Sequence, residues 1–157
     1  MKTHSEFLQY AIDLASENVR SGEGGPYGAV IVKNGEIIAA SGNKVTRSLD
    51  PTAHAEVMAI RQACQALNDF QLTGCVLYTS CEPCPMCLGA IYWARLDKVY
   101  YACSREDAAS AGFDDSFIYD EIPLSPEKRR IAMLNIKQSN DLAPFRLWNA
   151  KTDKILY

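Results

Sequence analysis

Apolar residues return every three or four positions near the amino terminus. Phe7, Leu8, Ala11, Leu14, Ala15 and Val19 share one face and predict an amphipathic helix over roughly residues 3–21. The run Gly22-Glu23-Gly24-Gly25-Pro26 cannot continue a regular element and ends it. Two apolar runs, Ala29-Val30-Ile31-Val32 and Ile37-Ile38-Ala39-Ala40, then flank Lys33-Asn34-Gly35-Glu36. Asn-Gly between such runs predicts a tight β-hairpin. After Asp50-Pro51-Thr52, the positions Ala53, Val57, Ile60, Cys64 and Leu67 predict a second helix, started at Pro51-Thr52 with Thr52 as N-cap. Val76-Leu77-Tyr78-Thr79 reads as a buried strand, about Pro85 to Ala94 as a helix, and Val99-Tyr100-Tyr101-Ala102 as a further strand. Ile131-Ala132-Met133-Leu134 is a weaker strand candidate, and Phe145 to Lys151 predicts a short closing helix. A hairpin followed by alternating helices and strands predicts one mixed sheet with helices on both faces. No repeat or linker interrupts the 157 residues, which read as a single domain.

Composition narrows the setting. A chain 48% hydrophobic and 22% charged has the make-up of a soluble globular protein. No apolar run approaches the roughly 20 residues a membrane helix needs, and Met1-Lys2-Thr3-His4-Ser5-Glu6 has no apolar signal core. The expected location is therefore the cytoplasm. There the six cysteines read as thiols or metal ligands rather than a disulfide framework. The net charge is −3, with Lys128-Arg129-Arg130 the one dense basic cluster, read as a solvated face. Neutralising phosphates needs a basic surface, so neither nucleic acid nor membrane is an expected partner. A small neutral substrate suits this chain better.

Two segments carry chemistry: His54-Ala55-Glu56 and Pro83-Cys84-Pro85-Met86-Cys87. One imidazole and two thiolates supply three ligands for a tetrahedral Zn²⁺ and leave the fourth position to water, the mark of a catalytic site. Pro85 at a first helical position makes Cys84 the N-cap and puts Cys87 on the same face. Both sulfurs then lie at the positive end of a helix, which favours thiolate. His54 and Glu56, two apart, would point to opposite sides of a regular helix and can converge only near a helix start. Taken singly, each segment has a plain structural reading, such as a redox pair, a core imidazole or a solvated carboxylate. Jointly, H-x-E followed by P-C-x-x-C is the signature of zinc nucleobase deaminases. An activated water would attack the ring carbon bearing the amino group, and Glu56 would shuttle its proton. Cys64, Cys75 and Cys103 read as core thiols, and Cys81 as a neighbour of the ligands.

The chain resembles the cytidine deaminase superfamily and, within it, the bacterial guanine deaminases. The resemblance rests on Gly25-Pro26-Tyr27-Gly28-Ala29-Val30-Ile31-Val32, on Asp50 to Val57, on Tyr78 to Trp93, and on Ala111-Gly112-Phe113-Asp114-Asp115-Ser116-Phe117-Ile118-Tyr119. It implies a three-layer α/β/α sandwich around a mixed five-stranded sheet, a Zn²⁺ cofactor, and a homodimer whose C-terminal segments are exchanged. By the same resemblance, Asn43 bonds the purine, Ala55 offers a main-chain contact, Asp115 assists the leaving amine, and Tyr157 closes the partner's site. Tyr27 stands where the family usually stacks phenylalanine on the base. The implied reaction is hydrolysis of guanine to xanthine and ammonia in purine catabolism or salvage. Three alternatives stay open: a tRNA adenosine deaminase, a deaminase of cytosine or an aminotriazine such as ammeline, and a non-catalytic zinc protein with Cys81 as fourth ligand.

Overall fold

The computed structural model describes all 157 residues, which divide into two compact units, residues 1–115 and 116–157. In the first unit, helix α1 (His4–Arg20) opens on Thr3, whose hydroxyl accepts from the Glu6 amide. The Glu6 carboxylate in turn accepts from the Thr3 amide at 2.7 Å. This capping box satisfies donors that a helix start leaves orphaned. Strands β1 (Gly28–Lys33) and β2 (Glu36–Gly42) form the expected hairpin. Asn34 and Gly35 both have positive φ, 52° and 81°, as a turn matching the twist of its strands requires.

A four-residue helix α2 (Val45–Ser48) precedes α3 (Ala55–Leu67), which ends on left-handed Asn68. Strand β3 (Cys75–Cys81) leads through α4 (Pro85–Trp93) to β4 (Lys98–Cys103), and α5 (Arg105–Ser110) follows. The strand order is β2-β1-β3-β4, with β1 antiparallel to both neighbours and β3 parallel to β4. Alternation divides the sheet's two faces. Ala29, Ile31 and Leu77 pack with Ala55, Ala59 and Ala63 of α3 and Ile91 of α4. Val30, Val32 and Tyr78 pack with Phe7 and Ala11 of α1. The layers are therefore α/β/α, as expected. No helix is long and apolar enough to cross a membrane.

The sheet has four strands, not five. Ile131-Ala132-Met133-Leu134 forms no ladder, and its residues are exposed. A strand exists only by pairing, and here the Met133 amide bonds to the Pro126 carbonyl at 3.1 Å instead. That bond lies within the second unit, which holds α6 (Ser116–Glu121), a 3-10 turn (Pro126–Lys128) and α7 (Ala143–Ala150). The Arg129 guanidinium caps α6 by donating to the carbonyls of Glu121 and Ile122 at 3.2 and 3.0 Å.

Candidate active site

Helix α3 starts later than its apolar pattern predicts. Thr52 is not the cap; its amide and hydroxyl both donate to Asp50 Oδ1, at 2.8 and 2.7 Å. This side-chain turn competes with helix initiation and moves the N-cap to His54, which is still extended at φ −65°, ψ 154°. The shift resolves the spacing difficulty. His54 lies outside the helix and Glu56 in its first turn, so their side chains need not obey helical geometry. Glu56 is 4% exposed. Its Oε1 accepts from Thr79 Oγ1 at 3.3 Å, and Oε2 from Cys87 Sγ at 3.4 Å. Burial pushes its carboxyl above the usual range.

Cys84 caps α4 as its sequence foretells, accepting from the Cys87 amide. His54 Nδ1 lies 3.5 Å from each of the two sulfurs, and the three donor atoms are all within 4.8 Å of one another. At about 2.3 Å to sulfur and about 2.0–2.1 Å to nitrogen, a tetrahedral zinc ion sets these ligands roughly 3.5 Å apart. The donor set therefore fits zinc in both chemistry and spacing. Cys84 is held down to about 4, first by hydrogen bonding from Cys87 and then from His54. Cys87 moves upward, first through its interaction with Cys84 and then through burial. The bond to Cys84 raises His54, against the pull of burial.

Cys81 is buried but stands apart from this group. Its thiol donates to the Ser104 carbonyl at 3.5 Å, and burial pushes it to about 11. The cluster of donor atoms that could hold a metal consists of His54, Cys84 and Cys87, without Cys81. Cys75 is buried as expected, whereas Cys64 is half-buried and Cys103 exposed. Cys103 was expected in the core; it ends β4, the outer strand, which is largely exposed.

Around the triad lie the other candidates of the first unit. Ala55 is the first helical residue of α3, and its amide has no intrahelical acceptor. Asn43 is 7% exposed and accepts from the Val45 amide through Oδ1 at 3.0 Å. That bond fixes which end of the amide is oxygen and leaves the NH₂ as a donor. Tyr27 stands perpendicular to Phe113, with centroids 5.2 Å apart, and burial raises its hydroxyl above the usual range. Asp115 is half-buried; burial first, then the Cys84 charge, raises its carboxyl. Tyr157 belongs to the second unit, where it is exposed.

Two residues at this site escape sequence reasoning. Thr79 holds the Glu56 carboxyl. Buried Asn18 of α1 donates to the carbonyls of Gly25 and Asn43, at 2.8 and 2.9 Å, tying two loops together. The available signal was its place three residues after Ala15 on the buried face of the helix, a polar break in an apolar stripe.

Residues 1–103 match the model of the cytidine and deoxycytidylate deaminase zinc-binding region. The chain belongs to that family of deaminases. It is 57% identical to guanine deaminase of Bacillus subtilis over 98% of this chain and 99% of that protein. The X-ray structure of guanine deaminase from B. subtilis superposes with a TM-score of 0.98, at 56% identity and 99% coverage of both chains. Similarity to tRNA-specific adenosine deaminase of Aquifex aeolicus is shorter: 47% identity over 61% of this chain and 63% of that one.

Proposed function

We propose that this chain hydrolyses guanine to xanthine and ammonia. The observation that carries the reading is the convergence of His54, Cys84 and Cys87 within 4.8 Å on a buried carboxylate, Glu56, bonded to one of them. His54, Cys84 and Cys87 would hold Zn²⁺, which supplies a water acidic enough to act as nucleophile at neutral pH. With the metal bound, Glu56 would take the two protons of the attacking water in turn, handing one to a ring nitrogen and the other to the leaving amine. Thr79 anchors Oε1, and Oε2 is the oxygen turned toward the ligand Cys87. Burial favours the protonated acid, which keeps the carboxyl competent to give the proton back.

The remaining residues bind and orient the base. The Tyr27 ring stacks on it, the Asn43 NH₂ donates to an acceptor on its edge, and the Ala55 amide adds a main-chain contact. Asp115 assists proton delivery to the amine. The full-length likeness to a guanine deaminase supports this over a tRNA substrate, as does the net charge of −3. Ammonia release measured across guanine, adenine, cytosine, cytidine and ammeline, with tRNA binding measured alongside, tests the reading. Guanine should give the highest kcat/KM. Preferred turnover of another base, or tight tRNA binding, would replace it.

The chain functions as one deaminase domain in a homodimer whose C-terminal segments are exchanged, so that Tyr157 completes the partner's site. Exposed Leu88, Tyr92 and Trp93 on α4, and exposed Ile155 and Leu156 beside Tyr157, support an interface of this kind. Purine breakdown in the cytoplasm is the setting that fits.

A further inference from the structure

The geometry points to Phe113 as a positioning residue for the reaction: it holds the Tyr27 ring and ties it to the loop carrying Asp115. The inference rests on the reading of Tyr27 as the ring that stacks on the base. The two rings meet at 86° with centroids 5.2 Å apart, inside the range where edge-to-face aromatic pairs attract. Both rings also line a cavity of about 460 Å³ whose wall includes Ile12 and Val19 of α1 and Ala108 of α5. A smaller side chain at position 113 would therefore open space beside Tyr27, and no neighbour already fills that space. The ring would gain freedom to swing.

Phe113 is itself anchored to the metal-ligand loop by a continuous hydrogen-bonded frame. Its amide donates to the Ala108 carbonyl at 2.9 Å, and that of Gly112 to Ala109 at 3.0 Å, closing α5. Helix α5 opens on a capping box between Ser104 and Asp107. Its first amide, of Arg105, donates to Glu82 Oε1 at 3.2 Å, and the Glu82 amide bonds to the Cys103 carbonyl at 2.8 Å. Glu82 lies two residues before Cys84. Through Glu82, α5 and Phe113, the loop bearing the thiolates sets the plane of the base-facing ring. Asp115, two residues further on, moves with the same frame.

The test is a double-mutant cycle in the zinc-loaded full chain, reading kcat and KM for guanine, zinc content and thermal midpoint. Phe113→Leu should raise KM about three- to ten-fold, the worth of an aromatic pair expressed in binding. Zinc content should stay unchanged, and Phe113→Tyr should restore KM. In a Tyr27→Leu background the same Phe113→Leu change should alter kcat/KM less than about two-fold, because its target ring is gone. An undiminished Phe113→Leu effect in that background would overturn the inference, as would an unchanged KM in the single variant. The dissociation constant of xanthine, measured in parallel, should follow KM in every variant; a constant that stays fixed also overturns it. Turnover by the wild type separates the two readings. If guanine is not its substrate, the proposed function fails, and the cycle is run on the base that is turned over.

Discussion

Glu56 is the residue whose environment and proposed role agree most closely. A carboxyl that is 4% exposed and held between Thr79 and Cys87 exchanges protons only with what reaches it inside the site. General acid–base catalysis contributes roughly 10²–10⁴-fold. Glu56→Gln should therefore lower kcat by about that factor while zinc content, measured by atomic absorption, stays the same. Retained turnover would remove Glu56 from the mechanism. Cys84→Ala makes a different prediction, because that sulfur stands 3.5 Å from His54 Nδ1 as one of three donors. Zinc and activity should be lost together, and a variant that still bound one equivalent of zinc would refute the ligand assignment.

At the level of elements, what was readable in the sequence was what local chemistry decides. Asn34-Gly35 announces its hairpin because only such a pair accepts two positive φ values cheaply. Cys84-Pro85 announces the start of α4 because proline costs nothing at the first helical position. Helix α3 starts later than its apolar pattern predicts because Asp50, ahead of the helix, captures Thr52. Propensity does not register that competition. The fifth strand failed because pairing is non-local: the apolar run Ile131–Leu134 has β character but no ladder partner. Asn18 was missed as a clamp because its two acceptors lie 7 and 25 residues away. Its packing yields a prediction of its own. A Cβ on Gly42 would overlap Asn18 Oδ1, which cannot retreat from a buried, bonded position. Gly42→Ala should then cost about 1–3 kcal/mol in urea denaturation, together with a raised KM as Asn43 shifts. A neutral substitution would show that the clamp is slack.

For the whole molecule, the question is how far one chain suffices. Residues 116–157 contain exposed Phe145, Leu147, Ile155, Leu156 and Tyr157, more apolar surface than a short solvated tail would carry. Sedimentation at micromolar concentration should therefore show a dimer. Deleting Ile155 to Tyr157 should cut kcat/KM about ten-fold or more without removing zinc. A fully active monomer, or full activity after the truncation, would defeat the exchanged arrangement while leaving the metal chemistry untouched. The cation itself decides the rest.

The most direct test removes the metal from purified protein with a chelator and then restores zinc, following ammonia release from guanine. The account predicts about one zinc per chain, loss of turnover on removal, and recovery on addition. Undiminished turnover by metal-free protein, or an inert protein carrying its full zinc, would contradict it.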